Sequence, residues 1–383
     1  MPHIIPDIKT LIHQLISIPS VSCTNASIDQ SNIKVINHLA GLFETLGFTI
    51  EIQPVDTEAN KANLIATIGT GDNGLVLAGH TDTVPFNESQ WNSDPFSLIE
   101  KNNKLYGLGT SDMKSFFAFI LEAIRDIDLK ALKQPLIILA TADEETSMAG
   151  AKAIAKNNIN GARHAVIGEP TNMKPIRMHK GMMMESIQLT GLSGHSSNPA
   201  HGHNALEAMH EVMSNLMRWR EELQNRYKNP LFAVPVPTMN FGHIHGGDNP
   251  NRICGDCELQ IDLRPLPGMS IIDLRHELHQ RLSDTLHGHK IKLKTVPLFD
   301  GVDAMETDAN AEIVKAVEKL TNTTTEAVAF STEAPYYNAM GIETVILGPG
   351  NIAQAHQPDE YIDLVNITPF TQTLKQLIQQ FCL

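Results

Sequence analysis

Four apolar, strand-like runs in this chain of 383 residues are each followed by side chains that can bind a metal ion. Imidazole nitrogens and carboxylate oxygens are typical ligands of zinc and of neighbouring divalent metals. The side chains are His80 and Asp82 after 75–79, Glu144 and Glu145 after 136–139, Glu169 after 165–168, and His356 after 344–347 and a Gly-Pro-Gly turn. Because open α/β sheets bind ligands beyond the carboxyl ends of their strands, we expect these groups to meet at one site.

Each of these signals is weak when it is taken alone. An isolated acidic pair such as Glu144 and Glu145 is more often a solvated turn than a site, since two close carboxylates disfavour each other's ionisation. His80 and Asp82 can face the same side of an extended segment, with the carboxylate behind the imidazole, but a His-x-Asp pair is common by chance. The prediction of a site therefore depends on the coincidence of several strand ends.

Asp112 lies in a glycine-containing loop, 106–114, in front of the helix-like segment 116–127. Spacing alone favours an ordinary helix N-cap for this residue. The spacings of phosphate-binding and dinucleotide-binding glycine loops are missing, which speaks against a nucleotide site. With Asp112 as a ligand, the candidate set has two imidazoles and three carboxylates, namely His80, Asp112, Glu145, Glu169 and His356.

A ligand set of this size suits two metal ions about 3.5–4 Å apart, with a bridging carboxylate and an open position on each ion. Such a pair can generate hydroxide near neutral pH and polarise a carbonyl group at the same time. Glu145 would serve as a ligand, while the adjacent Glu144 stays free as a general base. The residues thus indicate metal-assisted hydrolysis.

The composition is that of an ordinary globular protein, with 42% hydrophobic and 19% charged residues. The formal charge of −14 argues against a nucleic-acid or anionic-membrane partner, which requires a basic surface. No run approaches the ~20 apolar residues of a membrane span, and no signal peptide is recognisable. Four cysteines are too few for a disulfide scaffold, and Cys254 and Cys257 are better explained as strand residues than as a redox or zinc pair. We therefore expect a cytoplasmic protein.

Hydrophobic periodicity predicts an α/β fold with two domains. Helices and strands alternate up to about residue 180, which predicts a mostly parallel central sheet flanked by helices. The pattern then changes to β-α-β-β-α-β, the order of a ferredoxin-like unit. We expect one domain of 1–180 and 297–383, and an inserted α+β domain of 181–296.

Five motifs around the candidate residues are specific enough to indicate a family. They are Gly79-His80-Thr81-Asp82, Gly109-Thr110-Ser111-Asp112-Met113-Lys114, Asp143-Glu144-Glu145, Gly168-Glu169-Pro170 and Gly194-His195-Ser196-Ser197. They resemble the motifs of the dizinc aminoacylase and carboxypeptidase family of metallohydrolases, and the resemblance extends over nearly the whole chain. It implies a dizinc exopeptidase-like catalytic domain, with the inserted domain as a dimerisation lid.

The resemblance also implies the metal ligands. Two zinc ions, with cobalt as the alternative metal, would be bridged by Asp112. His80 and Glu169 would complete the coordination of one ion. Glu145 and His356 would complete the coordination of the other.

Three further residues receive roles from the resemblance. Glu144 would be the general base, and Asp82 would orient His80 from behind. His195 would reach the active site of the partner subunit in a homodimer and stabilise the oxyanion, although the residues alone favour an ordinary loop histidine. By the same analogy, the Asp112–Met113 peptide bond is expected to be cis.

The resemblance implies a small N-acyl amino acid as substrate, N2-acetyl-L-ornithine, which would be hydrolysed to L-ornithine and acetate in arginine biosynthesis. Arg264, Asn251 and Arg252 would hold its α-carboxylate, although a surface salt bridge is a competing explanation for both arginines. Thr332 and Glu333 match the family's substrate loop, and Glu333 would meet the side-chain ammonium. The alternatives are a desuccinylase, a general aminoacylase or dipeptidase, and a non-catalytic binding protein of the same fold. A two-metal phosphoesterase is disfavoured, because no cationic phosphate clamp is visible.

Overall fold

The structure is a computed structural model that describes residues 5–55, 60–157 and 159–383. These residues form two compact units. Unit 1 contains the described residues of Met1–Arg177, Thr307–Glu326 and Thr332–Leu383, and unit 2 contains Met178–Glu306 and Ala327–Ser331. No helix in the described ranges is both long and apolar enough to cross a membrane.

Helices and strands alternate along much of the chain. The α-helices are α1 (Ile8–Ile16), α2 (Ile33–Thr45), α3 (Ser115–Ile124), α4 (Ala149–Asn157), α5 (Ala205–Arg226), α6 (Ile271–Thr285), α7 (Glu312–Thr321), α8 (Ala334–Ala339) and α9 (Ile367–Cys382). The strands are β1 (Thr49–Val55), β2 (Lys61–Ile68), β3 (Gly74–His80), β4 (Ile99–Lys101), β5 (Lys104–Tyr106), β6 (Leu136–Thr141), β7 (Ala162–Ile167), β8 (Ile176–His179), β9 (Met183–Thr190), β10 (Thr238–Gly246), β11 (Asp256–Arg264), β12 (Lys292–Pro297), β13 (Met305–Glu306), β14 (Glu326–Val328), β15 (Glu343–Ile346) and β16 (Tyr361–Asp363).

The central sheet of unit 1 has the order β1-β2-β6-β3-β7-β15. The strands β6, β3, β7 and β15 are parallel, whereas β1 and β2 form an antiparallel edge. Every residue of β3 and of β6 is buried, as expected for parallel strands that are covered on both faces. The predicted fold class, a mostly parallel sheet flanked by helices, is confirmed.

The core of unit 1 explains why α3 is so apolar. All ten residues of α3 except Glu122 are buried, and Phe116 and Phe119 pack against Phe370 of α9 with ring centroids 6.0 and 5.4 Å apart. A helix that is apolar on all sides must be enclosed by other elements. Because α3 begins directly after the loop that contains Asp112, this packing fixes the position of the loop.

Unit 2 contains a four-stranded antiparallel sheet of order β10-β11-β9-β12. In chain order its elements are β9-α5-β10-β11-α6-β12, the β-α-β-β-α-β sequence of a ferredoxin-like unit. The inward face of α5 is apolar and includes the fully buried Trp219, whose Nε1 donates to Glu277 Oε1 of α6 at 2.8 Å. At one edge of the sheet, β10 leaves most of its side chains exposed.

Candidate active site

The parallel strands of unit 1 bring the predicted ligands to one edge of the sheet. His80 is the last residue of β3 and lies opposite Thr141, the last residue of β6. Glu144 and Glu145 follow β6, and Glu169 follows β7, which pairs with the other side of β3. Adjacent parallel strands end side by side, so residues far apart in sequence meet at their carboxyl ends.

Asp112 lies at the centre of the cluster, with its two carboxylate oxygens directed to different imidazoles. Its Oδ1 is 3.0 Å from His80 Nε2, and its Oδ2 is 3.7 Å from His356 Nε2. Glu169 Oε2 lies 3.8 Å from His80 Nε2, and Glu145 Oε2 lies 3.1 Å from His356 Nε2. A carboxylate placed in this way can bridge two ions. The peptide bond that follows Asp112 is cis.

The donor atoms form two triads that share Asp112. Ligand atoms of His80, Asp112 and Glu169 lie within 4.8 Å of one another, and so do those of Asp112, Glu145 and His356. A third group, His80, Glu144 and Glu145, meets the same distance but does not include Asp112. Glu145 Oε1 is buried and has no hydrogen-bond partner among the described residues. An orphaned buried oxygen, beside three further carboxylates and two imidazoles, fits divalent cations of the zinc type.

The charges of the cluster perturb its pKa values strongly. Burial, followed by the charge of Glu169, raises the pKa of Glu144 well above its ordinary value. Burial also raises the pKa of Glu169 well above its ordinary value. The hydrogen bond to Glu145 raises the pKa of His356 to about 9. Neighbouring carboxylates without a counter-charge take up protons, and bound cations would remove this need.

Asp82 contacts His80 from behind and also supports the turn that follows β6. His80 Nδ1 donates to the main-chain carbonyl of Asp82 at 2.9 Å, whereas the Asp82 carboxylate is 3.9 Å away. The carboxylate instead accepts the backbone N–H groups of Glu144 and Glu145, at 3.2 and 3.1 Å. Asp82 therefore fixes the tautomer of His80 through its backbone, which leaves Nε2 free to bind a metal, and holds the Glu144–Glu145 turn through its side chain.

Comparison with known proteins places the chain in a family. The model of "Peptidase family M20/M25/M40" matches residues 76–380. The chain belongs to this M20 family. It is 52% identical over 379 residues to acetylornithine deacetylase of Proteus mirabilis (strain HI4320), covering 99% of this chain and 98% of the relative. It is 48% identical over 382 residues to acetylornithine deacetylase of Salmonella typhimurium (strain LT2), covering 100% of both chains.

Solved structures of the M20 family share the fold at low sequence identity. The M20 family metallo-carboxypeptidase from Sulfolobus solfataricus has a TM-score of 0.76 and 17% identity, covering 98% of this chain and 99% of that one. A Bacillus subtilis protein described as a dinuclear metal-binding M20 peptidase has a TM-score of 0.67 and 14% identity, covering 97% and 98%. At these identities the likeness concerns the fold.

In this M20-family chain, a buried lysine that the sequence did not single out supports the turn before Glu144. Lys61 Nζ donates to Asp143 Oδ1 at 2.5 Å, to Asp29 Oδ1 at 2.7 Å and to Ser22 Oγ at 2.9 Å. Asp143 has a φ of +63°, a conformation that non-glycine residues rarely adopt without support. The ion pairs hold Asp143 in this conformation and so direct Glu144 and Glu145 toward the cluster.

Glu360 is a second supporting residue that sequence analysis missed. Its buried carboxylate accepts the backbone N–H groups of Ser111 at 2.6 Å, Asp112 at 2.9 Å and Gly109 at 3.1 Å. Its main-chain oxygen also accepts the N–H of Gly107 at 2.9 Å. Burial raises the pKa of this carboxyl group to about 8. The signal that could have found it is an acid just after His356, within a stretch that matches the family.

Two predicted substrate-binding residues, Thr332 and Glu333, are buried in unit 1. They are 1% and 0% exposed. Glu333 lies near Thr141 and Tyr337, and burial raises its pKa to about 7. The charges of His80 and Asp82 act on this carboxyl group, so it lies beside the cluster, and its contact with a substrate ammonium stays a prediction. The apolar packing of α8, which begins directly after Glu333, accounts for the burial.

The other predicted residues belong to unit 2. His195 is exposed, and its Nδ1 lies 2.8 Å from Ser197 Oγ. Asn251 accepts the backbone N–H of Ser196 at 3.0 Å, so it lies beside the His195 loop. Arg252 Nη1 lies 2.5 Å from Asp248 Oδ2, and Arg264 Nε lies 2.9 Å from Asp262 Oδ1. Both guanidinium groups are thus paired with acids of their own unit.

Proposed function

We propose that this protein is an acetylornithine deacetylase that hydrolyses N2-acetyl-L-ornithine to L-ornithine and acetate, a reaction of arginine biosynthesis. The observation that carries the proposal is a pair of candidate metal-binding triads that share Asp112, with the Glu144 carboxylate beside them. It occurs in a chain that is 52% identical to a named acetylornithine deacetylase over almost its full length. The described residues of unit 1 supply every part of this cluster.

The proposed cofactors are two zinc ions, with cobalt as the alternative. His80 and Glu169 would hold one ion, Glu145 and His356 would hold the other, and Asp112 would bridge them. When bound, the ions polarise the acetyl carbonyl and lower the pKa of water. The mixed nitrogen and oxygen donors favour zinc or cobalt over magnesium, which prefers oxygen ligands and retains water.

Glu144 is the proposed general base and acid. Its carboxylate accepts a proton from the attacking water and then donates it to the departing α-amine. Asp82 and the Lys61–Asp143 pair keep the Glu144–Glu145 turn in place during these transfers. The amide bond is thereby cleaved without a covalent intermediate.

The specificity is tested with a panel of N-acyl amino acids. Zinc-loaded protein is assayed with N2-acetyl-L-ornithine, N-succinyl-L,L-diaminopimelate, N-acetyl-L-methionine and a dipeptide. We expect the highest kcat/KM for N2-acetyl-L-ornithine. Faster hydrolysis of the succinyl substrate would overturn the proposed specificity, and no hydrolysis of any compound would favour the binding-protein alternative.

The same proposal includes a homodimer formed by the lid, residues 181–296, whereas 1–180 and 297–383 form the catalytic domain. The exposed edge strand β10, with Ile244 50% exposed, supports it because such an edge can pair with a second copy. Asn251, Arg252 and Arg264 of the lid would bind the α-carboxylate after exchanging their present partners.

The four cysteines are unpaired, which supports a cytoplasmic location.

Mixing two inactive variants tests whether His195 acts on the partner subunit. We expect H195A and E144Q to be nearly inactive as homodimers. After subunit exchange in equal amounts, about a quarter of wild-type activity is expected, because half of the dimers are mixed and each has one complete site. Native mass spectrometry verifies that mixed dimers have formed. If activity does not recover in such a mixture, the role of His195 in the partner subunit is contradicted.

Glu360→Gln is expected to weaken metal binding about 10- to 100-fold, the effect typical of residues that support ligands. The amide NH2 group would face backbone donors in place of one carboxylate oxygen, which displaces the loop that contains Asp112. Metal affinity is measured by competition with a chromogenic chelator. Activity should recover at excess zinc. The control is D359N, because Asp359 is an adjacent, half-buried residue whose carboxylate accepts the N–H of Asn92 and none of the loop's N–H groups that Glu360 accepts. Wild-type metal affinity of E360Q would contradict the role of Glu360.

A further inference from the structure

A cavity of about 340 Å³ lies in unit 1 beside the candidate metal site. We refer to it as the His356 cavity, because His356 forms part of its wall. Its apolar lining residues are Val84, Pro85, Phe86, Trp91, Leu108 and Pro358. Two aromatic rings and a leucine form a surface that favours an apolar occupant.

Apart from His356, the polar residues that line the His356 cavity are uncharged. These uncharged polar residues are Asn87, Gln90 and Gln357. Among the described residues that line the cavity, His356 alone can ionise, and its Nε2 is directed to Glu145 at 3.1 Å. Away from His356, a charged group in the cavity would lose hydration without gaining an ionic partner. The occupant should therefore be uncharged.

Only one half of an N-acyl amino acid meets this requirement. The amino-acid half of N2-acetyl-L-ornithine has an α-carboxylate and a side-chain ammonium, whereas the acyl half is neutral. We propose that the His356 cavity binds the acyl group and accepts unbranched acyl chains longer than acetyl. This inference rests on the proposed function and specifies its substrate class, N-acyl-L-ornithines from acetyl to hexanoyl.

The size of the cavity supports longer chains. Pockets of roughly 300–1,000 Å³ hold entire small molecules, so an acetyl methyl group fills a small part of the available space. His356 belongs both to the second triad and to the wall of the cavity, so an acyl group whose carbonyl lies at this triad can extend into the cavity. Each additional methylene placed against the apolar wall should improve affinity, up to about fourfold.

The test uses a series of N-acetyl-, N-propionyl-, N-butyryl- and N-hexanoyl-L-ornithine. With wild-type, zinc-loaded protein, we expect kcat/KM for the hexanoyl substrate to equal or exceed that for the acetyl substrate. Q90W places a large ring in the cavity and should lower the hexanoyl-to-acetyl ratio at least tenfold. E88W is the matched control, because Glu88 lies on the same short turn but does not line the cavity. It should keep the wild-type ratio.

A second series separates the acyl group from the amino-acid half. With N-acetyl-L-ornithine, N-acetyl-L-methionine and N-acetyl-L-leucine, Q90W should keep the wild-type order of preference. The inference would be overturned if kcat/KM of the wild type fell steeply from the acetyl to the propionyl substrate. It would also be overturned if Q90W changed kcat/KM only in the amino-acid series.

Binding measurements keep the inference testable if the proposed function fails. Calorimetric titration of acetate, butyrate and hexanoate into the zinc-loaded protein should give affinities that rise with chain length in wild type and E88W, and less so in Q90W. Equal affinities would overturn the assignment of the cavity. Absence of hydrolysis with chain-length-dependent binding would overturn the proposed function and leave the cavity as an acyl site.

Discussion

Replacing Glu144 with glutamine should lower kcat for N2-acetyl-L-ornithine by about 10²- to 10⁴-fold, the usual contribution of a general base. The amide has the shape of the carboxylate but cannot accept a proton from water. Glu144 lies outside the two triads that share Asp112, so we expect two metal ions per chain to remain bound in E144Q. Steady-state kinetics and elemental analysis of the same preparation measure both effects.

The adjacent carboxylate provides the contrast. Glu145 is directed to His356 and belongs to the second triad, so E145Q should lose one metal ion as well as activity. The two substitutions change adjacent residues of one turn in the same way, which controls for a general disturbance of the turn. Substantial turnover by E144Q, or equal metal loss in both variants, would show that Glu144 is not a separate base.

The clustering of the candidate ligands could be anticipated from sequence because they follow the strands of a parallel sheet. The sequence of a buried strand such as β3 is a short apolar run, and the last residue of the strand must lie at the edge of the sheet. His80, Glu145 and Glu169 were located in this way, and the position of Asp112 followed from the family motif. The order of elements in unit 2 was likewise visible as a change of periodicity.

The supporting contacts could not be anticipated, since they join segments that are remote in sequence. Glu360 contacts Asp112 across 248 positions, and Lys61 contacts Asp143 across 82. The small sheet of β4, β5 and β16 was also missed, because strands of three residues are too short for a periodic pattern. Burial of Glu333 depends on packing around α8, which no local pattern encodes.

Removal of the metal ions should abolish activity and weaken the fold. Four acidic side chains, Asp112, Glu144, Glu145 and Glu169, lie within the cluster, where burial gives their charges little solvation. Without cations these groups must bind protons or repel one another. An ion that binds the native state but not the unfolded chain stabilises the native state by about 2.7 kcal/mol when the free ion concentration is 100-fold above Kd. The metal-free protein should therefore unfold at a lower temperature.

The experiment compares protein dialysed against a chelator with the same protein after metal return. Zinc and cobalt should each restore activity and Tm, whereas magnesium should restore little, because two imidazoles are poor ligands for it. D359N, outside the cluster, should show the same loss and recovery as wild type. Metal-free protein that keeps full activity, with its metal content verified by elemental analysis, would contradict the metallohydrolase mechanism. Restored Tm without restored activity would instead assign the ions a structural role, because binding energy alone does not supply the polarised carbonyl that hydrolysis requires.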